Sequence, residues 1–198
     1  MSAPENQVVV VGAGTAGLAA ALCLSDLSIP SVVLERGDGV GAAWRSRYDR
    51  LRLNTGHRYS HLPKRPYAKG TPMFPTRDQV VAHLEEHAGE RGVELRLNTP
   101  VERVVRRKPS GWGVLTPDGI VGAAHVVVAT GYLHTPVLPD WPGSASFPGE
   151  VLHSSAYRSP GPFTGKRVLV VGAGSSGLDI AHDMATGGAA KVWLSVRT

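Results

Sequence analysis

Val8-Val9-Val10-Val11-Gly12-Ala13-Gly14-Thr15-Ala16-Gly17 runs from four consecutive β-branched residues through G-x-G-x-x-G into an apolar stretch, Leu18 to Leu27. A strand this continuously apolar is one buried on both faces, as in a parallel sheet. The first two glycines allow a tight turn and bring backbone N–H groups against a pyrophosphate, while the third lets helix and strand pack closely. Pro30 breaks the predicted helix, and Ser31-Val32-Val33-Leu34 follows as a second strand ending at Glu35. The same order recurs at Val168-Leu169-Val170-Val171-Gly172-Ala173-Gly174-Ser175-Ser176-Gly177. There the helix spans Leu178 to Ala185, Gly187-Gly188 ends it, and Val192 to Val196 returns as a strand reaching Arg197. Two such units predict two dinucleotide sites.

The strand ends discriminate between nucleotides. A carboxylate at Glu35 accepts hydrogen bonds from an adenosine ribose diol and repels a 2′-phosphate, so the first turn is predicted to hold FAD or NAD. A guanidinium at Arg197 forms charge-assisted bonds to a phosphate, so the second is predicted to prefer NADP(H).

The 198 residues as a whole fit a globular α/β chain, 42% hydrophobic and 19% charged. No stretch is long enough to span a bilayer, and the N-terminus carries Glu5 where a signal sequence has positive charge. A single cysteine, Cys23, excludes an internal disulfide framework, is predicted to be core packing, and makes the cytoplasm the expected compartment. The net charge of +5 suits anionic cofactors. Its one dense cluster, Arg103, Arg106, Arg107 and Lys108, reads as a solvated sheet edge, since no aromatic interleaving or motif points to nucleic acid.

Residues 37–76 are rich in Gly and Pro, with few strand or helix signals, and a structureless excursion that long in a compact domain is usually functional or disordered. Residues 77–90 read as a helix with Thr76 as N-cap. Val93 to Leu97 is a strand, and Val101 to Arg106, Trp112 to Leu115 and Ile120 to Ala124 form an antiparallel meander. His125 to Ala129 is predicted to be a buried strand, and a Pro-rich linker from Pro136 to Pro162 leads to the second βαβ unit. The expected architecture is a Rossmann-like FAD-binding domain, residues 1–158, with a parallel sheet and a meander. The first βαβ unit of a second Rossmann-like domain, for NADPH, occupies residues 159–198.

With these residues in place, the chain resembles the flavin-containing monooxygenases. Phe147, Gly149, His153 and Tyr157 fit that family's F-x-G-x-x-x-H-x-x-x-(Y/F) fingerprint, and the related Baeyer–Villiger branch ends the motif in Trp. Gly41-Ala42-Ala43-Trp44-Arg45, Ala129-Thr130-Gly131-Tyr132 and the serine-containing second turn also match. The resemblance implies FAD, NADPH and O2 as co-reactants, with oxygen delivered through a flavin C4a-hydroperoxide to a small nitrogen- or sulfur-containing molecule. The cofactors then carry the difficult chemistry, and the protein orients them and excludes water.

The resemblance also implies residue roles. Gly12, Gly14, Gly17 and Glu35 hold the ADP half of FAD, with Ala13, Thr15, Ala16 and Arg36 beside them. Trp44 and Arg45 line the flavin side, Asn54 lies over the isoalloxazine as the candidate catalytic residue, and Thr55 is its neighbour. The Val101 backbone meets the adenine, and Ala129, Thr130 and Gly131 complete the set. Gly172, Gly174, Ser175, Ser176 and Gly177 receive the NADPH pyrophosphate, and Arg197 its 2′-phosphate. Family members continue further, finishing the second domain and returning to the first. The expectation is therefore a fragment, a natural truncation or one half of a split protein, with an unpaired sheet edge after Val196. Its partners would be a small substrate and O2, and a second copy or a complementing C-terminal half, without nucleic acid or membrane. The alternatives are a nucleotide-binding or interaction module without turnover, and a Baeyer–Villiger-type fragment. A disulfide reductase needs a cysteine pair that Cys23 alone does not supply.

Other motifs are weighed and set aside. His83-Leu84-Glu85-Glu86-His87 has the H-x-x-E-H zinc spacing, yet its helix carries Val80, Val81 and Leu84 as a core stripe, no third ligand is evident, and surface histidines are expected there. No metal is expected. His57 and His61 are predicted to face solvent, and His153 to make a structural hydrogen bond at the domain junction. Gly161 to Lys166 lacks P-loop spacing.

Overall fold

The structure, a computed structural model, describes residues 7–132 and 135–196, so Arg197 lies outside the described residues. The four valines form β1 (Val8–Val11), covered on both faces. Val8 and Val10 share a core with Leu18, Ala21 and Leu22 of α1 (Thr15–Asp26) and with Val80 and Leu84 of α4 (Arg77–Ala88). Val9 and Val11 pack on the opposite side with Val114 and Ala123. Each valine so buried contributes about 1.5–3 kcal/mol of transfer free energy.

Strand β1 pairs in parallel with β2 (Ser31–Leu34) and β7 (His125–Val128), and β2 pairs with β3 (Glu94–Arg96), giving the order β3-β2-β1-β7. Val8 is opposite Ser31 on one side and His125 on the other. The meander is β4 (Arg103–Arg106), β5 (Trp112–Thr116) and β6 (Gly119–Ala123), antiparallel throughout. Helix α4 starts where expected, because Thr76 and Gln79 form a reciprocal capping box. The excursion contains two single-turn helices, α2 (Ala42–Arg45) and α3 (His57–Ser60), and is fastened by Arg65. That guanidinium bonds Asp26 at 2.9 Å and Glu90 at 2.7 Å, and its hydrogen bond holds the Asp26 carboxyl down at about 2.

The chain divides into two compact units, Met1–Arg45 with Leu53–His134, and Ser46–Arg52 with Thr135–Thr198. In the second, β8 (Arg167–Val171) pairs in parallel with β9 (Lys191–Ser195), connected by α5 (Ser175–Thr186). Tyr48, Tyr157, Ile180 and Met184 form its core, with Val168, Val170 and Val192 against them. The other face of the β8–β9 pair leaves Leu169, Val171 and Trp193 exposed.

Two packing expectations are corrected. Cys23 is exposed, because α1 buries Gly17, Leu18, Ala21 and Leu22 and turns position 23 outward. Strand β7 is only half-buried, with Val128 68% exposed, since it ends the described sheet order. Among the described residues no helix is long and apolar enough to cross a membrane.

Candidate functional site

The first glycine turn has the geometry its sequence calls for. Gly12 has φ +103°, and its N–H donates to the Leu34 carbonyl at 2.8 Å, so the chain swings across the ends of β1 and β2. A Cβ on Gly17 would lie 1.8 Å from the Gly12 oxygen, so only glycine lets α1 start this close to the turn. Gly14 is the N-cap of α1, which therefore begins three residues before Leu18. No side chain caps it, and a Cβ there would meet nothing within 4 Å. The contrast with α4, whose start is closed by its own capping box, is chemical: no side chain caps the start of α1, and N–H groups at such a helix start are donors of the kind that bond an anion.

Glu35 completes the turn. It is 7% exposed; Oε2 accepts the Ala13 N–H at 2.6 Å and Oε1 the Gly37 N–H at 2.8 Å. A carboxylate has about four acceptor positions, so each oxygen keeps one for a further donor such as a ribose hydroxyl. Ala129 is drawn to the same place, its N–H donating to the Val11 carbonyl at 2.9 Å and its own carbonyl facing Gly12. Gly12, Ala13, Gly17, Glu35 and Ala129 are thus one cluster. Arg36, Ala16, Thr130 and Gly131 are exposed around it, the last at φ +72°.

A cavity of about 280 Å³ opens beside the first helical residue, lined by Thr15, Trp44, Leu53, Thr55, Tyr67 and His83 among others. The Trp44 indole N–H donates to Thr15 Oγ1 at 3.1 Å, which fixes the ring at its edge. Thr55 Oγ1 and Ser60 Oγ are 2.6 Å apart. Arg45, expected on the same side, turns away: its Nε donates to the Val40 carbonyl and its guanidinium pairs with Glu85, lining a separate recess. Asn54 is exposed and is not among the cavity-lining residues. Val101 packs its side chain against the core on the meander side of the sheet.

Sequence reasoning missed Tyr67 and His83 as cavity residues. Tyr67 lies in the excursion, where no periodicity marks an inward position, and His83 is expected on the surface beside the core stripe of Val80, Val81 and Leu84. His83 is 4% exposed and not on the surface as expected, its ring stacked on Tyr67 with centroids 4.1 Å apart. Burial, helped by nearby His87, lowers its pKa. The donor atoms of His83, Glu86 and His87 lie within 4.8 Å of one another. Yet the Leu62 N–H donates to His83 Nε2 at 3.3 Å, so Nδ1 carries the proton. In that form His83 has no lone pair left for a metal. His57 and His61 are half-buried, not solvent-facing, because each ring bonds a backbone carbonyl, of Pro72 and Leu62 respectively.

The second turn repeats the first. Gly172 has φ +102°, its N–H donates to the Ser195 carbonyl at 2.9 Å, and a Cβ on Gly177 would lie 2.0 Å from the Gly172 oxygen. Gly174 caps α5 without a side-chain bond, and Gly174, Ser175 and Ser176 are exposed. The fingerprint residues have structural partners here. His153 Nδ1 accepts the Ser155 N–H at 3.1 Å, a bond local to its own turn. Tyr157, 1% exposed, donates its O–H to Asp183 at 2.7 Å.

Comparison with known proteins places these features. The profile of the pyridine nucleotide-disulphide oxidoreductase family matches residues 9–198. The chain is 42% identical to an indole-3-pyruvate monooxygenase, YUCCA1, of Oryza sativa subsp. japonica, over 91% of this chain and 45% of that protein. The chain therefore spans less than half the length of that curated relative. A flavin-containing monooxygenase from Stenotrophomonas maltophilia superposes with a TM-score of 0.88 at 29% identity, over 100% of this chain and 59% of its own. OTEMO, solved in complex with FAD and NADP, gives 0.75 at 26% identity, over 98% of this chain and 39% of its own.

Proposed function

Because the chain belongs to the pyridine nucleotide-disulphide oxidoreductase family and is matched along its length by flavin monooxygenases, we propose that it is part of an FAD- and NADPH-dependent monooxygenase. The observation that carries this is the pair of uncapped glycine-turn helices, α1 and α5, the first with Glu35 seated in its turn. The family's name includes disulphide oxidoreduction, but a chain with one cysteine carries no dithiol of its own.

The α1 turn would hold the FAD pyrophosphate on its free N–H groups, with Glu35 accepting the ribose hydroxyls. Trp44, Thr15 and Thr55 would flank the flavin side. Residues 1–158 would serve as the FAD domain and 159–198 as the beginning of the NADPH domain. Its pyrophosphate would rest on Gly174 to Gly177, and Arg197 would take the 2′-phosphate. When bound, the flavin would accept hydride from NADPH and pass the electrons to O2 for insertion of oxygen into substrate. The apolar and aromatic cavity wall would exclude water, and Asn54 would orient the reacting oxygen.

Two substrate classes follow. Tyr157 at the end of the fingerprint favours a small nitrogen- or sulfur-containing nucleophile. The 42% identity to an indole-3-pyruvate monooxygenase favours an aromatic 2-oxo acid. The test is the absorbance spectrum of the purified chain after loading with FAD, followed by NADPH oxidation with and without O2. The proposal expects bound flavin and O2-dependent consumption, with indole-3-pyruvate and a thioether as competing probes. A chain that retains no FAD would overturn it, and one that binds FAD without consuming NADPH would be a nucleotide-binding module. Arg197→Ala should erode the preference for NADPH over NADH.

A further inference from the structure

Helix α5 carries two carboxylates one turn apart, Asp179 and Asp183, and both are held by side chains far away in sequence. Asp183 is 3% exposed; Oδ2 accepts the Tyr157 hydroxyl at 2.7 Å and Oδ1 the Arg50 guanidinium at 3.0 Å. Asp179 accepts the Tyr48 hydroxyl at 2.8 Å, and the Arg50 guanidinium also reaches Thr186 Oγ1 at 3.2 Å. Tyr48 and Tyr157 are buried side by side, ring centroids 6.1 Å apart, and the Asp49 N–H donates to the Arg158 carbonyl at 2.9 Å. One face of α5 is therefore laced to the strap Ser46–Arg52 and to the last residue of the fingerprint.

Burying the Asp183 carboxylate is a poor way to add stability, since its desolvation offsets most of the attraction to its partners and an apolar residue beside Ile180 and Met184 would serve as well. What it does supply is geometry. Apolar contacts with Val168, Val170 and Val192 tolerate sliding and rotation of α5, whereas directional bonds at positions about 6 Å apart along the axis fix both. The far end of that rigid axis is the second glycine turn.

We propose that Asp183 is a positioning residue for the second nucleotide turn: through Tyr157 and Arg50 it sets the rotation and tilt of α5, and hence the aim of the N–H groups after Gly174. This rests on the reading of that turn as the NADPH site. The role explains why the Tyr157 hydroxyl of this chain is aimed at α5, and why the strap is captured by the same helix.

The test is calorimetric titration of the full chain with NADP+ and, separately, with FAD, for the parent, Asp183→Asn, Tyr157→Phe and the double variant. Each single variant should weaken NADP+ by about fivefold to tenfold, the double no more than the weaker single, and FAD should shift less than about twofold. A merely structural role would weaken both nucleotides together and lower the melting temperature in proportion. That pattern, or NADP+ affinity within twofold of the parent in folded Asp183→Asn, overturns the proposal. If Asp183→Asn does not fold, Arg50→Met carries the test, with the exposed side of the guanidinium making it tolerable. About threefold weaker NADP+ supports the proposal, and an unchanged value overturns it. A parent that binds FAD but no NADP+ refutes the site reading itself, and the positioning role with it.

Discussion

Gly14→Ala separates folding from ligand binding at the first turn. Gly14 has φ −77° and ψ −174°, which alanine adopts freely, and the new Cβ would meet nothing within 4 Å. Losing glycine's unfolded-state freedom stabilises by about 0.4–1 kcal/mol, while alanine is a poorer N-cap by about 1 kcal/mol. The two offset, so the melting temperature should move by less than about 4 °C. The same methyl fills the open space in front of the α1 N–H groups. Displacing a pyrophosphate from one such charge-assisted bond costs about 1.5–3 kcal/mol, which is a rise in the FAD Kd of about tenfold to a hundredfold. Thermal denaturation read by tryptophan fluorescence gives the first quantity and calorimetric titration with FAD the second. Unchanged FAD affinity in the folded variant would refute the reasoning, because it would mean that nothing approaches this backbone.

Gly17→Ala should do the reverse, destabilising by more than about 3 kcal/mol because a Cβ would sit 1.8 Å from the Gly12 oxygen, a backbone atom; denaturation midpoints check it. Glu35→Ala should strip flavin from the purified protein and, by orphaning the buried Ala13 N–H, destabilise by about 1–3 kcal/mol; flavin absorbance per chain and denaturation read the two effects. His83 is buried neutral with a folded pKa below its ordinary 6.5, so its contribution is complete above pH 6.5 and is lost as pH falls toward the lowered value. Stability should therefore decline on acidification through this window, and a His83→Phe variant should show a flatter profile; an identical slope in both would exclude His83 as its source.

The two β-turn-α-β units, the capped start of α4 and the meander were legible because each is written locally. A four-valine strand, a glycine whose Cβ would collide with its own turn, and a Thr76–Gln79 capping box report on neighbours within a few residues. Glu35 at the end of β2 was legible for the same reason: parallel pairing carries β2 up beside the turn it follows.

Side-chain destinations were not. Whether Arg45 faces the cavity or Glu85 depends on where α4 packs, 40 residues on. Cys23 was read as core and is exposed, while His83 was read as surface and lies buried against Tyr67. One residue along a helix rotates a side chain by about 100°, and only the packed partners decide which rotation is inside. The capture of Tyr48 and Arg50 by α5 joins residues more than 130 positions apart. The sequence by itself determined which segments turn, pair and present free helix ends, since local sterics and apolar periodicity suffice for that. The tertiary structure alone decided which charges meet and which rings are buried, because those contacts exist only once distant elements share a core.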